Sequence, residues 1–327
     1  MEENGKKFSA VSAVKIICMV LGVLLLCVFL SYHFFFVRPY GLSPGMKYVR
    51  SPSYKKGKDW NGDCLWYGGI KWRVLSKYDI LLLADHIPED YCEEWSKISY
   101  MREDPEEEYV DVHWENSVVR EYLNTDFYSS AFMPQERDAM LYKYEYGAWE
   151  MPEDKIFILL WRDVVSADYG FSEENLQRSY DEDWWLSELG GDVYVADSGE
   201  IIKWEDRREV YGEKAVRPAF YLDGESIVFT RDVSLNLNRP PSPVLADTRL
   251  EGDPSGEWVS VLSSASQHVT ISDIRLEGDV CTMAYSNASC GSGQYLSAVI
   301  TDGEENIRYY GRLIETDSES EGIVSVQ

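Results

Sequence analysis

The sequence predicts an α+β domain followed by an all-β, immunoglobulin-like sandwich, both carried behind one N-terminal membrane-spanning helix. Three observations predict it. Residues 16–37 contain no Asp, Glu, Lys or Arg. Between residues 60 and 223, short alternating segments are interleaved with two helical patterns. From residue 257 to 327 the chain alternates apolar and polar residues almost throughout, with turn signals between the segments. The length, 327 residues, suffices for two modest domains, and a hydrophobic content of 45% suffices for a sizeable core.

The elements follow in order. Residues 1–15 form a cytoplasmic tail containing Lys6, Lys7 and Lys15, which favours an inside N-terminus. The uncharged run 16–37 is about 22 residues, or roughly 33 Å of helix, close to the thickness of a bilayer core. It lacks an A-x-A cleavage pattern and a lipobox, and it ends in Tyr32, Phe34, Phe35 and Phe36, which suit a membrane interface. A retained anchor is expected, giving a single-pass cell-membrane protein with its C-terminal region outside. Residues 38–59, rich in Pro, Gly, Ser and Lys, read as a stalk.

The first domain is expected over 60–238. Ile70, Trp72 and Val74 alternate with Lys71 and Arg73 after a glycine pair, which predicts a strand with one buried face. Residues 80–84 predict a central strand. Asn116 or Ser117 caps a helix with Val118, Val119, Tyr122 and Leu123 as its apolar stripe and Asn124 at its end. Pro134 opens a second helix. Residues 154–161 and 214–223 predict further strands, and 163–177 predict short helices and loops. RPPSP at 239–243 marks a boundary, so 239–256 is read as a linker and 257–327 as the sandwich. Ten of the eleven tryptophans lie between Trp60 and Trp204; Trp258 is assigned a core role in the sandwich.

The order IKWRVL (70–75), ILLLAD (80–85), WENSVVREYLNTDFYSSAF (114–132), DKIFILL (154–160), WWLSELG (184–190) and VRPAFYLD (216–223) resembles the bacterial domain of unknown function 6273. That family is frequent in surface and secreted proteins of gut Firmicutes. The resemblance implies a C-type-lectin-like fold, shared with formylglycine-generating and sulfatase-modifying enzymes. YLSAVITDGEENIRYYGRL is similar to the β-sandwich that often follows this family. Relatives usually read WWLRSPG where this chain has Ser187 and Leu189; if that arginine shapes a pocket in relatives, the pocket is altered here. The copper-and-cysteine activity of formylglycine-generating enzymes is not carried over, because Cys64 and Cys92 sit in no matching segment.

The candidate ligand-binding residues are Trp184, Trp185, Glu188, Tyr194 and Arg217. Neighbours on a strand point to opposite faces, so one tryptophan is assigned to the core and the other either to the core as well or to a cleft. Arg217 is read first as a structural ion-pair partner. The six cysteines show no metal spacing; Cys64–Cys92 and Cys281–Cys290 either bridge or stay reduced, with a bridge favoured for the second pair. Calcium at Asp181, Glu182 and Asp183 is an option without a supporting motif. No nucleophile elbow, P-loop, dinucleotide fingerprint or HExxH occurs, so no catalytic residue, metal or other cofactor is expected. The net charge of −26 argues against nucleic acid as a partner. The expected function is a membrane-anchored surface module that binds a glycan, a peptide or a surface protein without catalysis. The alternatives are an envelope or host glycan-processing enzyme and a structural subunit of an envelope assembly.

Overall fold

The structure is a computed structural model. It describes residues 44–53, 59–86, 97–101, 113–143, 154–171, 177–187, 193–203, 211–233, 246–247, 255–263, 268–278, 280–288, 295–301, 307–315 and 320–326. The expected anchor at 16–37, Cys92, Cys290 and Glu188 lie outside these residues. Among the described residues, no helix is long and apolar enough to cross a membrane. The chain divides into residues 1–42 and 43–327, and every described residue belongs to the second unit.

The second unit is mostly β-sheet with few helices. Its first strands are β1 (Cys64–Tyr67), β2 (Ile70–Ser76), β3 (Leu81–His86) and β4 (Lys97–Ser99). A helical run over 118–131 and a short helix, Pro134–Asp138, come next. There follow β5 (Met140–Leu141), β6 (Ile156–Ile158), β7 (Trp184–Trp185), β8 (Val193–Val195), β9 (Ile201–Lys203) and β10 (Glu213–Ala215). Then come β11 (Pro218–Leu222), β12 (Ile227–Asp232), β13 (Ala246–Asp247), β14 (Glu257–Leu262) and β15 (Thr270–Glu277). The last are β16 (Val280–Ser286), β17 (Tyr295–Thr301), β18 (Ile307–Glu315) and β19 (Gly322–Val326).

An eight-stranded sheet runs in the order β12-β14-β1-β2-β3-β11-β5, with β6 also paired to β11. Gly68 and Gly69, at φ 59° and 72°, form the two-residue turn between Tyr67 and Ile70, which is why the glycine pair sits there. Ile70, Trp72 and Val74 are fully buried, as their alternation predicts, and β3 is central. A five-stranded sheet runs β4-β10-β7-β8-β9. Apolar residues of both sheets belong to one buried cluster.

Ser117 caps the first helix by accepting from Arg120 N. Asn124 does not end it. The run passes through a π-helical stretch, Leu123–Phe127, and continues to Ala131. The Asn124 side chain accepts from Lys155 N and Ile156 N, each at 3.1 Å, and donates to Ile156 O at 2.8 Å. It therefore fastens the helix to β6, and the local irregularity aims it there.

Two expected boundaries are corrected. Residues 44–53 are not a stalk: Met46 and Val49 are fully buried, and Gly45 O accepts from Thr230 Oγ1 of β12 at 2.8 Å. A Cβ at Gly45 would stand 2.5 Å from Ile227, so the glycine reflects close packing rather than a hinge. Nor does a sandwich begin at 257. Strand β14 lies inside the large sheet, parallel to β1 and antiparallel to β12. Trp258 is buried as expected, but in this sheet's core, where its Nε1 donates to Asp63 Oδ2 at 2.8 Å. RPPSP itself lies outside the described residues, but the strands before and after it, β12 and β14, pair in one sheet, so composition alone did not mark a domain boundary. The remaining strands form two three-stranded sheets, β13-β18-β17 and β15-β16-β19.

Candidate functional site

Lys71 and Arg73 occupy the face of β2 opposite Ile70, Trp72 and Val74. Register brings Trp66 of β1 opposite Lys71, while Arg73 lies opposite Cys64. A bulge between Lys71 and Trp72 breaks the pairing with β3 beside Asp85. A polar strip results. Trp66 Nε1 donates to Glu257 Oε2 at 2.9 Å, and Lys71 Nζ donates to Glu257 Oε1 at 2.6 Å. Lys71 Nζ also lies 4.0 Å from Asp85 Oδ2, and Arg73 Nε donates to Asp85 Oδ1. The Lys71 hydrogen bond, followed by that of Trp66, holds the Glu257 carboxyl below its ordinary pKa. Burial alone would raise Asp85, but the Arg73 charge and hydrogen bond outweigh it and leave the carboxyl below its usual range. Cys64, on the same face, has its thiol pushed up to about 12, mainly by burial, and is not a poised nucleophile.

The strip leads to an open cleft of about 350 Å³ lined by Arg73, His86, Ser179, Tyr180, Asp181 and Asp197. His86, at the end of β3, is exposed. Its Nδ1 stands 3.5 Å from Asp85 Oδ2, and its Nε2 stands 4.0 Å from Asp181 Oδ2. Its ring meets Tyr180 edge to face at 5.8 Å.

Behind Tyr180 lies Arg217, only 1% exposed. Its guanidinium sits 5.0 Å from the Tyr180 ring centroid and 5.1 Å from that of Trp184. Nε donates to Ala84 O at 2.8 Å and Nη1 to Arg178 O at 3.4 Å, whereas Nη2 is buried with no acceptor among the described residues. The expected ion pair is not formed with any described carboxylate. The physical reason is that Arg73 already holds Asp85, the carboxylate that acts on Arg217 most strongly. Burial, then repulsion from Arg73, lowers the Arg217 pKa well below its ordinary value.

Of the described candidate ligand-binding residues, Arg217 alone lies behind the cleft wall, while Asp181, weighed from sequence only for calcium, lines the cleft. Trp184 and Trp185 are both 0% exposed, so neither ring faces a cleft. Strand β7 lies between β10 and β8, and both its faces are covered: Trp184 meets Arg217, while Trp185 meets Tyr100 edge to face at 5.6 Å. Tyr194 pairs across the strands with Trp185, and Lys214 Nζ lies over its ring at 4.0 Å. Ser187, at the position of the relatives' arginine, is buried, and its N–H donates to Leu159 O. Cys64 and Cys281 are free thiols. Among the described residues, no group of His, Cys, Asp and Glu is arranged to hold a metal ion.

Sequence reasoning missed Arg73, His86, Asp85 and Tyr180. The signal for Arg73 and Lys71 was present: two cations on one face of a strand whose other face is core.

Residues 79–224 match the family described as Domain of unknown function (DUF6273). The chain resembles that family over a span that holds Asp85, His86, Tyr180, Asp181, Asp197 and Arg217. Trp66, Lys71, Arg73 and Glu257 lie outside the span, although their strands belong to the same sheet as β3. No curated protein and no solved structure matches the chain.

Proposed function

We propose that this chain is a surface protein whose β-rich unit binds a ligand without catalysis, held outside the membrane by the uncharged run 16–37. In this reading residues 44–263 form a C-type-lectin-like domain, and the strands of the C-terminal region form an immunoglobulin-like spacer. The observation that carries the reading is the cleft between His86 and Asp181, backed by a buried arginine and continuous with the polar strip ending at Trp66. Concave sites with a few convergent polar groups are the usual form of a ligand pocket. The family likeness agrees with a scaffold that presents a surface, and the uncharged run with an outside location. A glycan and peptide array probed with the full chain tests it. The expected result is saturable binding to a discrete set of probes, weakened by Tyr180→Ala. Retention of no probe, or binding indifferent to Tyr180, contradicts it.

A structural-subunit reading has one observation in its favour. Ile271, Ile274 and Leu276 of β15 are exposed, on a strand exposed along its whole length. Failure of the array together with concentration-dependent self-association of the full chain favours this second reading.

A further inference from the structure

We infer that the cleft receives a carboxylate of the ligand, drawn by Arg73, His86 and the uncompensated guanidinium of Arg217; this rests on the binding-module reading above. The charge inventory points to it. Lys71 is matched by Glu257 and Arg73 by Asp85, whereas the buried Arg217 makes no ion pair with any described carboxylate. A buried cation without a counterion is costly, and it persists where something supplies the missing charge. Water-excluded charge is also little screened by salt, so it acts on an incoming anion more strongly than a surface lysine does.

The geometry places the unmet charge directly behind the cleft wall, against the Tyr180 ring. The two carbonyls that hold Arg217, those of Ala84 and Arg178, belong to the two segments that wall it: Ala84 lies two residues before His86, and Arg178 immediately precedes Ser179. Nη2 is left without an acceptor among the described residues. Tyr180 is common to both environments, since it lines the cleft and stacks on Arg217. It is the side chain that must turn for Nη2 to meet the ligand. Arg73, whose Nε and Nη1 already donate to Asp85 and to Gln177 O, and His86 line the same cleft, and their N–H groups suit the oxygens of a carboxylate. Asp181 and Asp197, exposed on the same cleft, then favour a ligand carrying an ammonium or hydroxyl donor behind its carboxylate. A peptide C-terminus and an acidic sugar both fit that chemistry.

Calorimetric titration of the full chain with matched probes tests the inference. Glycylglycine against glycylglycinamide covers the peptide source, and glucuronic acid against glucose covers the sugar source. In at least one pair the acid should bind about tenfold more tightly than its neutral partner, the size expected for a charge-assisted contact. Arg217→Met should abolish that preference. His86→Gln, at an exposed position, should reduce it and keeps the test valid if R217M does not fold. Equal binding within both pairs, or no binding of either acid, overturns the inference. If the array yields ligands that lack a carboxylate, the binding module stands and only the carboxylate assignment falls. If the array and both acids fail together, the binding reading falls with it.

Discussion

Trp184 and Trp185 are held by their indole nitrogens as well as by their rings: Trp184 Nε1 donates to Arg178 O at 3.1 Å and Trp185 Nε1 to Ile98 O at 2.7 Å. Replacing either by Ala opens a cavity and leaves a buried carbonyl short of a donor. Each change should cost about 3–5 kcal/mol, and thermal melts of W184A and W185A check it; tolerance of either would mean that its ring is not core. Asp85 acts at the same scale through charge. Its folded pKa is lowered, so its stabilising contribution is complete above the ordinary carboxylate range and is lost as pH falls through the lowered value. Asp85→Asn should destabilise the protein at neutral pH by about 3 kcal/mol, because it leaves two guanidinium groups facing each other. Below the lowered pKa the variant and the parent should converge. A melting curve series from neutral to strongly acid pH reads both, and a constant gap across the series would contradict the assignment.

At the scale of elements, the irregular helix and the bulged strand do the positioning. Asn124 replaces the missing neighbours of β6 by satisfying Lys155 N, Ile156 N and Ile156 O from one side chain. Asn124→Ala should therefore destabilise by about 1–3 kcal/mol, with increased hydrogen exchange at Lys155 and Ile156. Unchanged exchange there would show that the strut is dispensable. Much of this level was legible in the sequence: the alternation of 70–75, the cap at Ser117, Pro134 and the glycine pair at 68–69 are local signals with local causes. Asn124 was not, because its partners lie more than thirty residues away. The same holds for the tryptophan pair. Strand alternation says correctly that the two rings point apart, but whether both faces are covered depends on where β7 falls in its sheet.

At the scale of the molecule, the large sheet closes through segments far apart in sequence. Asp63 accepts from Arg50 N, from Arg50 Nε and from Trp258 Nε1, tying the residues before β1 to β14. A fragment ending at residue 238 lacks β14 and exposes β1 and β12, so it should lose cooperative melting, whereas a fragment of residues 43–263 should keep it. A cooperative transition in the shorter fragment would restore the boundary expected from RPPSP. The sequence misled here for a physical reason: a Pro-rich connection is compatible with leaving a domain and with returning to it, and pairing partners are not encoded locally. The candidate site was legible only through Arg217 and Asp181, for the same reason, since its walls come from residues around Arg73 and His86, from 179–181 and from Asp197.

The cleft between His86 and Asp181 is the proposed seat of the ligand. Side-chain NMR of the full chain, titrated with the tightest probe from the array, measures this directly. The account predicts saturable shifts at the His86 imidazole, the Tyr180 ring and the Arg73 Nε–H, with the Trp184 and Trp185 indole N–H signals moving little. Shifts confined to other surfaces, with His86 and Tyr180 unmoved at saturation, would contradict it.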